Sequence, residues 1–147
     1  MEEINKVQKL EWKDEYSLGV HDIDEQHKRI IGFIGRLADL YNSGGKIKDI
    51  EVILDEMTDY AYVHFGFEEK YFNEFHYVDN ERHTAEHNEY RFKVDVFKKR
   101  LKKIESEGSD LMFFIKELFA FINDWWIWHI MHNDRKYVEC FHEHGLK

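Results

Sequence analysis

Four long stretches of the chain place apolar side chains at every third or fourth position, the period of an α-helix. The first begins near Asp22, where Asp22-x-x-Glu25 is suited to a capping box. Its inward stripe is His27, Ile30, Ile31, Ile34, Leu37, Ala38 and Tyr41, and Asn42-Ser43-Gly44-Gly45 breaks it. The second runs from about Lys48 to Phe75, with Ile53, Met57, Tyr60, Ala61, His64, Glu68, Tyr71, Phe72 and Phe75 in phase. The third starts near Asn80, an N-cap candidate, and carries His83, His87, Tyr90, Val94, Phe97, Leu101 and Ile104. After Gly108 the fourth brings Leu111, Phe114, Ile115, Leu118, Ile122, Trp125, Trp126 and His129 to one side.

Short polar turns between such helices predict an all-α antiparallel up-down four-helix bundle. The expected layout is one domain over 1–147, with an N-terminal arm over 1–21, the bundle over 22–134 and a short helical tail over 135–147. Leu10, Trp12, Tyr16, Leu18 and Val20 give the arm enough apolar surface to lie across the bundle.

Composition agrees. The 147 residues include no proline and eight glycines, so little interrupts a helix. A formal charge of −9 disfavours nucleic acid and anionic membranes as partners. No run of about 18 apolar residues predicts a membrane span, and 1–20 lack the apolar segment of a secretory signal. A cytoplasmic protein with no obligatory protein partner is expected. Cys140 is the single cysteine, which excludes an intramolecular disulfide.

The inward stripes contain a contradiction. His27, His64, Glu68, His83, His87 and His129 occupy core phases, where an uncompensated carboxylate costs several kcal/mol. One core histidine is ordinary, but five with a carboxylate over all four stripes are not. A metal ion resolves the conflict, because its charge offsets the carboxylate and imidazole is a favoured ligand. His64 and Glu68 are four residues apart, as are His83 and His87, so each pair faces one way on its helix. His21, His76, His142 and His144 fall in arm, turn or tail positions and are expected at the surface. A surface or supporting role is expected for His132.

These residues resemble the hemerythrin family, the bacterial hemerythrins most of all. The resemblance runs through Trp12-x-x-x-Tyr16-Ser17-Leu18-Gly19-Val20, Ile23-Asp24-x-Gln26-His27-Lys28, His64-Phe65-x-x-Glu68-Glu69, His83-x-x-x-His87 and His129-Ile130-x-x-x-Asp134-x-x-Tyr137. It implies a cofactor of two non-heme iron ions with a bridging oxo or hydroxo group. His83, His87 and His129 would hold one iron, His27 and His64 the other, and Glu68 and Asp134 would bridge them. Dioxygen would bind end-on, as hydroperoxide, at the iron with two histidines.

Asp134 poses a geometric problem. Five residues beyond His129 is about 140° of rotation on an α-helix, which turns its carboxylate away from the site. A π-type turn between Ile130 and Asp134 is therefore predicted.

The histidine-rich set favours reversible dioxygen binding, as a carrier or store, over oxidation. Carboxylate-rich di-iron enzymes use Glu-x-x-His pairs on two helices, and Glu139–His142 is this chain's only such pair. The expectation is a binding protein rather than an enzyme, with any oxidase activity weak. Trp125, Trp126, Ile30, Ile31 and Phe65 are candidates for lining the dioxygen pocket. Trp126 stands where relatives often carry Leu, Phe72 where Met is common, and Val78 where Pro is common.

The alternatives are a module that senses or scavenges oxygen, redox state or nitric oxide, or a di-iron oxidase, on the same fold. Sensors of this kind are commonly fused to an output domain, for which no residues remain here. His83-Thr84-Ala85-Glu86-His87 also matches the inverted zinc-peptidase pattern, with Glu86 as base. That reading leaves His27, His64, Glu68 and His129 buried without purpose.

Overall fold

The computed structural model describes residues 6–108 and 110–147; the first five residues of the expected arm lie outside it. A 3-10 turn (Asp14–Tyr16) precedes α1 (His21–Ser43), α2 (Ile47–Glu74), α3 (Asn80–Glu107) and α4 (Leu111–Trp128). A π-helical segment (His129–Asp134) then leads directly into α5 (Arg135–Glu143). The helices pack in cyclic order: α1 against α2, α2 against α3, and α4 against both α3 and α1. This is the antiparallel four-helix bundle that the periodicity predicts, and the described residues contain no strand.

Every member of the predicted α1 stripe is buried. Gly44 and Gly108 end α1 and α3 in the left-handed conformation (φ 73° and 66°), the helix stop that glycine adopts without a Cβ clash. Asp110 caps α4, its carboxylate accepting from the Phe113 N–H.

Two expected caps do not form. The N-cap of α1 is Val20, without a side-chain hydrogen bond. In place of an Asp22–Glu25 box, Asp24 turns outward and accepts from the Leu18 N–H (2.8 Å) and the Ser17 hydroxyl. The helix already begins at His21, so Asp22 lies within its first turn rather than at the N-cap. Asp79, not Asn80, precedes α3, and it too forms no side-chain cap.

The core has two apolar clusters. The larger fills one end of the bundle, around Ile34, Leu37, Ile50, Ile53, Leu54, Phe114, Ile115 and Leu118, and reaches Phe65, Tyr90, Trp126 and Ile130. The smaller joins Leu18, Val20 and Ile23 to Phe72, Tyr77, Tyr137 and Phe141, so arm and tail complete the opposite end. Each fully buried large side chain in these clusters contributes about 1.5–3 kcal/mol. Tyr16 is buried with the arm, and the His142 Nε2–H donates to the Gly19 carbonyl (2.8 Å). His142 thus ties tail to arm, where the sequence predicts a solvated residue. His21, His76 and His144 are exposed as expected, and Val78 is an exposed turn residue.

Candidate metal centre

Between the two clusters lies a polar set that apolar packing does not explain. His27 comes from α1, His64 and Glu68 from α2, His83 and His87 from α3, and His129 and Asp134 from the two ends of the π segment. None is more than 1% exposed. All seven predicted positions therefore meet at one point, and the predicted helix irregularity spans His129–Asp134. Its longer turn brings residues five apart onto one face, placing Asp134 Oδ1 3.0 Å from His129 Nε2.

The side chains form two overlapping groups. Glu68, His83, His87, His129 and Asp134 could hold one ion; His27, His64 and Asp134 could hold another. Asp134 belongs to both. Its Oδ1 lies 2.9 Å from His83 Nε2, while its Oδ2 lies 2.9 Å from His27 Nε2 and 3.9 Å from His64 Nε2. Glu68 also touches both, with Oε1 3.0 Å from His64 Nε2 and 3.4 Å from His87 Nε2. The Nε2 atoms of His83 and His87 each lie 3.1 Å from that of His129. Ligands about 2.1 Å from one ion and at right angles stand about 3 Å apart, so the spacing fits metal binding. The donor chemistry fits as well. Both Glu68 oxygens, Asp134 Oδ1 and His64 Nε2 are buried without a hydrogen-bond partner. Such groups cost several kcal/mol each unless a cation satisfies them.

Three of the outward nitrogens, those of His64, His87 and His129, face partners that spacing does not reveal. The His64 Nδ1–H donates to Gln26 Oε1 (2.6 Å), and the His87 Nδ1–H donates to Glu69 Oε2 (2.8 Å). His129 Nδ1 faces Glu86 Oε2 at 3.5 Å, an electrostatic contact rather than a formed hydrogen bond. Arg91 pairs with Glu69 (3.2 Å) and Arg82 with Glu86 (3.0 Å). Asn133, buried within the π segment, donates to Glu86. These contacts orient the rings so that each Nε2 points inward. Gln26, Glu69 and Glu86 sit beside predicted ligands in the sequence, but they fall at half-exposed phases where a solvated residue is the ordinary reading.

Electrostatics within the set are mutual. Burial opposes the charge on His64 and His129, but the carboxylates outweigh it: Glu68 and Asp134 bring His64 up to about 9, and Asp134 with Glu86 brings His129 up to about 10. Burial would raise Glu68 and Asp134, yet the imidazoles hold both carboxyls well below their usual range. At His27 burial prevails and the value falls. Glu69, pushed up by burial, is nevertheless held low by His87 and Arg91.

The candidate pocket residues divide between the two groups. Trp126 is buried beside His64 (ring centroids 5.8 Å) and Phe65 (5.3 Å), and its Nε1–H donates to Tyr90 Oη (3.0 Å). Ile30 and Ile31 are buried on α1. Trp125 instead stacks on His129 (4.3 Å), and Phe65 also stacks on His87 (3.9 Å). Trp125 therefore lies against the three-histidine group, because residues 125 and 126 diverge by about 100° around the helix. Phe72 packs on His83 (4.7 Å). His132 is exposed and stacks on Trp128 (3.7 Å), away from the centre. Burial raises the Cys140 thiol, which gives it no reactive character.

A family model described as the hemerythrin HHE cation binding domain matches residues 18–141. A bacteriohemerythrin of Clostridium acetobutylicum is 29% identical over 131 residues, covering 87% of this chain and 98% of the relative. One from Pseudomonas aeruginosa is 30% identical over 131 residues, covering 89% and 80%. One from Methylococcus capsulatus is 29% identical over 126 residues, covering 86% and 91%.

Proposed function

This chain belongs to the hemerythrin family and carries its non-heme iron-binding domain, and from that premise we propose that it binds dioxygen reversibly, as a carrier or store. The centre is read as two irons. His83, His87 and His129 hold one, His27 and His64 hold the other, and Glu68 and Asp134 span them. The observation that carries this reading is the division of Asp134, one oxygen toward each histidine group. When bound, a pair of ferrous ions would supply the two electrons that dioxygen takes up and returns.

The side chains do the rest. Because Asp134 and Glu68 reach both groups, the three-histidine group would offer its ion one more protein ligand than the two-histidine group, and a position would stay free in the latter. Trp126, with Phe65 behind it, covers the two-histidine side and excludes water there. Five neutral imidazoles with only two carboxylates lend the metals limited negative charge, which favours binding over oxygen–oxygen cleavage. We therefore read the protein as a binding protein rather than an enzyme. Among the described residues, no helix is long and apolar enough to cross a membrane.

The test is optical. The iron-loaded protein is reduced without air, exposed to oxygen and then deoxygenated over several cycles. Visible charge-transfer bands that appear and vanish each time support reversible binding. A single conversion to a permanent ferric form, with peroxide released, would replace this reading with a sensor or an oxidase.

A further inference from the structure

The groups behind the histidines differ between the two halves of the centre. In the three-histidine half, His87 donates to the carboxylate of Glu69, and His129 faces that of Glu86. In the two-histidine half, the only partner among the described residues is the neutral amide oxygen of Gln26 behind His64. Each half also has one histidine, His83 or His27, whose Nδ1 has no partner among the described residues. The asymmetry is thus carboxylate against amide.

We propose that Glu69 and Glu86 make the three-histidine half the tighter metal site, while Gln26 leaves the two-histidine half as the one that loses metal first. Glu69, accepting the His87 Nδ1 proton, draws it outward and makes Nε2 a stronger donor to a metal, and Glu86 favours the same polarisation of His129 through its charge at 3.5 Å. An amide carbonyl does so far less. Arg91 and Arg82 fix the two carboxylates in place. Asn133 anchors Glu86 to the π segment, so the same carboxylate steadies both His129 and the turn that delivers Asp134. This gives Glu86 a positioning role in His83-Thr84-Ala85-Glu86-His87 that is unrelated to peptidase chemistry. The inference rests on the two-site reading above, though not on reversible oxygen binding.

The test is an anaerobic ferrous-ion titration of the full chain against a chromophoric chelator, which needs no oxygen. The native protein is expected to take two equivalents, one tighter than the other. Glu69→Gln keeps an acceptor of the same shape and removes only the charge, so the tighter equivalent should weaken roughly 10- to 100-fold, with the looser one unchanged. Gln26→Glu is the reciprocal change and should tighten the looser equivalent, a gain that no structural lesion produces. Circular dichroism confirms that both variants fold. Uptake of one equivalent only would overturn the two-site reading itself. Two equivalents that shift together in either variant, or do not shift, would overturn the asymmetry alone.

Discussion

Asp134 Oδ1 lies 3.0 Å from His129 Nε2, although the two residues are five apart and a regular α-helix would set them about 140° apart. The intervening π turn removes that conflict. It also carries the change of register by which α4 continues into α5, so Tyr137 and Phe141 reach the smaller apolar cluster. One backbone irregularity therefore serves both a ligand position and the closure of the bundle.

Asp134→Asn tests the first of these roles. The amide keeps the volume but loses the charge shared between the two histidine groups. Helix content by circular dichroism should stay within a few per cent of native, while iron per chain, measured by elemental analysis, should fall from two to one or fewer. Two irons retained in this variant would remove Asp134 from the ligand set.

Trp126 is buried against His64, and in the proposed function it covers the two-histidine side. Trp126→Leu opens space beside His64 and Phe65 and leaves the Tyr90 hydroxyl without its donor. The destabilisation should be about 2–3 kcal/mol, since large-to-small core changes of this class run to about 3–5 kcal/mol for full truncation. Urea unfolding measures this cost. Stopped-flow mixing with oxygen should show faster binding and faster conversion to the ferric form, because water and oxygen share the opened route.

The buried charges set the pH response of the iron-free protein. His64 and His129, brought up to about 9 and about 10, stabilise the fold fully below their unfolded value of about 6.5. That contribution is lost as pH rises through about 9 and 10. Glu68 and Asp134 act in the opposite sense: their contribution holds above about pH 4.3 and is lost on acidification. His27, lowered by burial, adds to the acid loss below about 6.5. Denaturation midpoints of chelator-treated protein should therefore decline from pH 6.5 to 10. Iron affinity should rise across the same interval, because binding displaces protons from His64 and His129. A flat alkaline profile would contradict the charge arrangement.

Asp24 holds the arm. Asp24→Ala removes the acceptor for the Leu18 N–H and the Ser17 hydroxyl, and should cost about 1.5–3 kcal/mol, as for hydrogen bonds to a charged group. Limited proteolysis should then cut near 15–20 well before the helices, while the iron content stays native.

The centre was legible in the sequence to an unusual degree because burial of polar groups is costly. Six polar residues at core phases could not be solvated, and only a cation accounts for them together. The seventh, Asp134, came from the family resemblance alone, and its misfit to helical period then forecast the π turn. The groups behind the histidines were not legible. Gln26, Glu69 and Glu86 lie at half-exposed phases, and nothing local separates a carboxylate that backs a ligand from one that meets only water.

The capping box and the role of His142 failed for a related reason. Local pattern reports what a side chain can do with its own helix; α1 already begins at His21, so Asp22 lies inside it, and the arm offers His142 an acceptor from far along the chain. The sequence by itself determined the helices, their inward faces and six polar residues that needed a cation, because period and burial cost are local properties. The tertiary structure alone decided which carboxylate faces which ring, that Trp126 packs beside His64 while Trp125 stacks on His129, and that carboxylates back one half of the centre and an amide the other. Those outcomes depend on how four helices are rotated against one another, a choice made by packing across the whole core.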